Sequence, residues 1–205
     1  MLCPVGAVGE IVTFDFTGSV SSVYNPYGVV SPSLIGLGDP VQASLRFDTA
    51  TQDLYPDDPT RGAYIGPGWF KVNINGLDFE RTTTVQVDIL HNGNGGQEYF
   101  DADAFQNPTS WPAELPLYDY PQIFMAFWQS KPTYDLFSSD ALPTALDFSR
   151  ADMQTAFVRA GTSTANMYEI QFRLLQVPEP GVVSLLPGGL LLLLLRARPS
   201  DGFPR

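Results

Sequence analysis

The segment Val41 to Asp48 constrains the fold most. Val41, Ala43, Leu45 and Phe47 alternate with Gln42, Ser44, Arg46 and Asp48. Successive side chains of a strand point to opposite faces, so this order makes a strand with one apolar and one polar face. The same period returns in Glu10 to Val20, where Val12, Phe14, Phe16 and Val20 share a face. It returns again in Trp69 to Ile74, Thr83 to Leu90 and Met167 to Gln176. Gln122 to Gln129 is nearly all apolar and reads as a central, fully covered strand. Asn75-Gly76 is a strong hairpin signal, and Leu77 to Arg81 is its return strand. Gly62 to Ile65 and Gln97 to Phe105 add two further segments. Ala151 to Ala160 lacks a clean helical period and is read as a strand.

Together these segments predict about eight to ten strands and no long helix in residues 10–176. The expected fold is all-β, an antiparallel β-sandwich of jelly-roll-like form. Between the strands lie a long Gly-, Pro- and Ser-rich loop (Ser21 to Pro40), an acidic turn region (Thr49 to Arg61) and two further loops (Gln106 to Pro121, Lys131 to Ser149). The 18 Gly and 18 Pro suit a turn-rich β domain, given 13% aromatic side chains.

Charge and cysteine usage exclude several functions. The body to Gln176 carries 8 Lys/Arg against 20 Asp/Glu. Nucleic acid is not an expected partner, because phosphate contacts need clustered cations. Cys3 is the one cysteine and His91 the one histidine. No disulfide framework or cysteine metal cluster can be built from them, and Ser-His-Asp and Cys-His arrangements are removed unless His91 itself serves. An acidic, Lys-poor surface fits a protein kept soluble outside the cell.

Few residues carry a chemical signal. Asp88, Asn92, Asn94, Asp101 and Asp103 surround one expected hairpin, and oxygen-rich loops can hold calcium. The spacing matches no calcium loop, and Asn-Gly and Gly-Gly are what a turn requires in any case. Asp53, Asp57 and Asp58 form a second acidic loop that reads as solvated surface. His91 reads as a turn histidine. Trp69, Trp111, Tyr118 and Tyr120 could form a sugar-stacking platform, or could pack the core and loops. No pair of carboxylates is singled out for glycoside hydrolysis. No enzyme activity and no cofactor are expected.

The two ends differ from the body. Met1 to Gly9 is apolar, and Ala7-Val8-Gly9 has the small-x-small form of a signal cleavage site. Residues 1–9 are read as the remnant of a signal peptide whose start lies upstream. At the other end, Val177-Pro178-Glu179-Pro180 cannot continue a helix or a central strand. Uncharged residues Gly181 to Leu195 follow, ending in Leu190 to Leu195, and then come Arg196 and Arg198. Fifteen helical residues span roughly 22 Å, short of the about 30 Å of a bilayer core. Pro187-Gly188-Gly189 weakens such a helix further. The layout is a proline spacer, a short C-terminal transmembrane helix and a basic stop held on the cytoplasmic side.

This tail resembles the PEP-CTERM sorting signal of bacterial exported proteins. The resemblance implies that residues 177–205 are a sorting signal, with Pro178, Glu179 and Pro180 as the box recognised by an exosortase, a membrane transpeptidase. Gly181 to Leu195 would hold the chain in the membrane before processing, and Arg196 and Arg198 would be the basic stop. The family usually ends soon after a tight basic cluster, whereas here Pro199 to Arg205 follow two arginines. The body is also similar to a recurrent body type of that family. It shares an opening strand at Phe16 to Val20, a Gly-Asp-Pro-Val step at Gly38 to Val41, and a last strand running into the box. What this implies is an exported surface or extracellular-matrix protein, structural or adhesive, with exosortase and exopolysaccharide as partners. The alternative is a secreted carbohydrate- or calcium-binding β-sandwich module with a plain C-terminal membrane anchor.

Overall fold

The computed structural model describes residues 9–93, 97–105, 107–129, 139–144, 148, 151–161 and 167–176. The Pro178-Glu179-Pro180 box, the apolar run, Arg196 and Arg198, and residues 1–8 all lie outside them. Ten strands are present among the described residues: β1 Ile11–Tyr24, β2 Pro40–Asp48, β3 Arg61–Gly66, β4 Gly68–Ile74, β5 Leu77–Arg81, β6 Val85–Gly93, β7 Gln97–Phe105, β8 Gln122–Gln129, β9 Met153–Ala160 and β10 Tyr168–Gln176.

All ten are hydrogen-bonded into one antiparallel sheet, in the order β3-β6-β7-β8-β9-β10-β1-β2-β4-β5. One ladder runs through every strand. β6 to β10 form a meander, and β10 then pairs with β1 to join the two ends of the chain. β3 and β5 are the edges of the ladder. Yet β3 and β4, at opposite sides of it, are separated in sequence only by Pro67. The sheet must therefore curl until its two margins meet. β4 accordingly touches β6, β7 and β8. Pro67 has no N–H to leave unpaired, which suits it to this corner.

The curled sheet encloses one apolar core. The alternation works as expected: Val12, Phe14, Phe16 and Val20 of β1, and Val41, Ala43, Leu45 and Phe47 of β2, are all buried. So are Tyr168, Ile170, Phe172 and Leu174 of β10. Phe16 stacks on Phe127 of β8 at 5.7 Å between ring centroids, across the interior rather than along the ladder. Phe148 plugs the centre, 4.1 Å from Phe127, 5.3 Å from Phe100 and 5.6 Å from Phe16. Each such ring contributes about 1.5–3 kcal/mol by leaving water.

Two strands run well past their expected ends. β1 runs on to Tyr24 because a bulge between Val20 and Ser22 absorbs a residue and keeps the pairing with β10 alive. At Gly18 the two strands come so close that any Cβ would collide with the Arg173 carbonyl oxygen. β6 extends through His91, which was expected in a turn. The Asn75-Gly76 hairpin is as predicted, with φ of 52° and 86°, the left-handed pair that a tight right-twisted hairpin demands.

Candidate functional site

β6, β7 and β8 carry polar groups on both faces. On the inner face, His91 Nδ1 lies 2.9 Å from Glu98 Oε1, and Glu98 is buried. Gln129, also buried, is the β8 neighbour of Glu98. His91 is thus part of a buried polar row at one end of the sheet, not a turn residue. Its strand position follows from register: β6 and β7 pair from Gln86–Asp103 to Leu90–Tyr99, and His91 continues the inward series of Val85, Val87 and Ile89.

On the outer face the same strands oppose carboxylates. Asp88 stands directly across from Asp101, and Asp103 is two residues further along β7. Gln86 Nε2 donates to Asp88, and Gln122 Nε2 donates to Asp103 Oδ2 at 2.6 Å. Burial raises the Asp101 carboxyl to about 7, reinforced by the charges of Asp88 and Asp103 and opposed by Arg61. Burial raises Asp103 to about 6, against the pull of the Gln122 hydrogen bond and Arg159. Opposed carboxylates repel unless one carries a proton, so this patch is built to hold protons near neutral pH. Asp103 Oδ1 and Gln122 Oε1 are both shut off from water without a donor. A proton on Asp103 is the group that would complete this pair.

The expected oxygen-rich hairpin dissolves into these parts. Asp88, Asp101 and Asp103 are strand residues, and Asn94 lies outside the described residues. Among those residues, no set of three or more His, Cys, Asp or Glu side chains is disposed to hold a metal ion. The second acidic loop is also structural. Asp53 Oδ1 accepts from the Tyr55 and Ala63 amides, each at 2.9 Å. Asp58 Oδ1 accepts from the Thr60 amide and hydroxyl, which hold its carboxyl below the usual range.

Beyond the Asp103–Gln122 pair lies an open groove of about 720 Å³, within the range of small-molecule sites. Its walls include Asn107, Leu117, Tyr118, Asp119, Tyr120 and Pro121. The Tyr120 ring is exposed and leans on exposed Phe105 at 6.0 Å between centroids. The loop is held from below. Trp111 Nε1 donates to the hydroxyl of fully buried Tyr168 at 2.8 Å, Tyr118 packs on the same ring, and the Gly161 amide donates to the Asp119 carbonyl at 2.7 Å.

The four aromatics expected to form a platform are therefore divided. Trp69 is on β4 beneath Lys71, and Trp111 is a packing residue with its edge against Phe79. Only Tyr118 and Tyr120 reach the groove. Phe105 was not singled out beforehand, although it follows the outward series Asp101, Asp103 on β7. Compared with known protein families, curated proteins and solved structures, the chain matches none.

Proposed function

We propose that the chain is an exported bacterial surface or extracellular-matrix protein, sorted by an exosortase through Pro178-Glu179-Pro180. The body is structural or adhesive rather than enzymatic, a two-layered, jelly-roll-like sandwich made by curling the single sheet. Gly181 to Leu195 is its short transmembrane hold before processing, and Arg196 and Arg198 are the cytoplasmic stop. The observation that carries the reading is the order of the tail: proline box, apolar run and basic residues, beginning one residue after the last strand ends at Gln176. An acidic body with a single cysteine supports it. The calcium-binding alternative draws no support from the described residues, which converge on no metal site.

Mass spectrometry of the mature C-terminus tests this in a host that has an exosortase. A chain shortened near the box is expected, and Glu179→Ala should leave the chain full length in the membrane. A mature wild-type chain still ending at Arg205 would reject sorting and leave the plain membrane anchor.

A further inference from the structure

Two of the described non-glycine residues with positive φ are left without a turn to explain them once Asn75 is assigned to its hairpin. They are Asn107 (φ 47°) and Tyr120 (φ 57°), and both line the groove beside the acid patch. A bulky residue in the left-handed region is strained, and such strain persists only where the surroundings impose it. Here the imposing contacts are the Asp119 carbonyl bond to Gly161 and the seat of Tyr118 on Tyr168. Their effect is to leave the Tyr120 ring exposed in a preset orientation against Phe105. The side chains of Asn107 and Asp119 are exposed in the same groove and bond to none of the described residues.

We propose that this groove is a binding site for a neutral saccharide. The apolar C–H face of a sugar ring stacks on Tyr120, with Leu117 and Pro121 covering its edge. The Asp119 carboxylate accepts from adjacent hydroxyls, and the Asn107 amide both donates and accepts, as a vicinal diol requires. The class of ligand follows from what the groove lacks. Among the described residues no Lys or Arg lines it, Asp119 is inside it, and the protein carries a net charge of −11. An anionic polymer would meet uncompensated like charge, whereas an uncharged sugar loses nothing to it. The held loop requires little ordering on binding, which favours affinity from a small contact.

Calorimetry on the purified full chain, titrated with cellotetraose, laminaritetraose and maltotetraose, tests the site. Polygalacturonate oligomers serve as the anionic control. At least one neutral sugar is expected to bind, and polygalacturonate is not. Tyr120→Gly separates binding from folding. Glycine accepts the positive φ, so the variant keeps or gains thermal stability, yet loses the ring and binds at least tenfold more weakly. Asp119→Asn should weaken binding while leaving the fold intact. Absence of binding by all three neutral sugars overturns the proposal, as does unchanged affinity in Tyr120→Gly or equal binding of polygalacturonate. The measurement does not depend on sorting: a chain that is never processed can still bind, and a correctly sorted chain can fail to.

Discussion

The outward faces of the two halves of the sheet are built on opposite electrostatic plans. On β1, β2, β4 and β5, charges and hydrogen-bonding groups are matched. Lys71 Nζ is 2.9 Å from Glu80, the Ser44 hydroxyl donates to Asp15, and Asn73 donates to Asp78 at 2.6 Å. On β6, β7 and β8, Asp88, Asp101 and Asp103 gather with two glutamine amides and the Asp88 main chain as direct partners, while Arg61 and Arg159 act from the margins. Backbone and pleat are the same in both halves, so the fold does not impose this crowding. The matched half behaves as ordinary solvated surface. The unmatched half sets carboxylates against one another beside the groove, and its burial is expected to make stability depend on pH.

The largest effect should come from breaking the seam that joins the halves. Gly18→Ala drives a methyl group into the Arg173 carbonyl, and both partners are main chain, so neither can swing aside. A loss of more than about 3 kcal/mol is expected, read as a collapse of the urea midpoint.

Next comes the unmatched half. Asp101 and Asp103 titrate at about 7 and 6 in the folded chain, above the ordinary value of 3.8. Between those limits the folded state binds more protons than the unfolded one, so stability should fall as pH rises from about 4 to about 7 and level off beyond. The slope is at most about 1.4 kcal/mol per pH unit for each group. Asp101→Asn removes one titrating charge. It should stabilise the protein by about 2 kcal/mol at pH 8 and flatten the profile, as thermal melts across the pH range would show. A profile as steep as the wild type would place the proton elsewhere.

The smallest effect belongs to the matched half. Lys71→Ala breaks an ion pair whose lysine is well exposed, and should cost less than about 1 kcal/mol. A loss as large as that at Asp101 would erase the contrast between the halves.

Much of this fold was legible in the sequence because period two is a local signal. β5, β7 and β8 have the bounds that alternation and turn residues predict, and the inward residues of β1, β2 and β10 are the expected ones. What was not legible is non-local. Nothing near Gly66-Pro67-Gly68 says that the chain crosses there from one margin of the sheet to the other. Nothing near Gly18 names Arg173 as its neighbour. His91 was hidden for a different reason. Asn92-Gly93 beside it is a strong turn signal, yet the pairing of β6 with β7 runs through Gly93. In the candidate site, Tyr118 and Tyr120 could be picked out by type. Their separation from Trp69 and Trp111 depends on Tyr168, about fifty residues away in the sequence, which takes Trp111 as its hydrogen-bond partner.

The pairing of β10 with β1 also fixes a direction. Gln176 lies opposite Phe16, in the first half of β1, while Glu169 lies opposite Tyr24 at its end. The row from Glu169 through Arg159 and Gln122 to Phe105 leads straight to the groove. Gln176 and the groove row therefore lie at opposite ends of β10, roughly 23 Å apart along the strand at 3.3 Å per residue. A body tethered at Gln176 would stand on its own last strand as on a mast, with the groove at the top and pointed away from whatever holds the base.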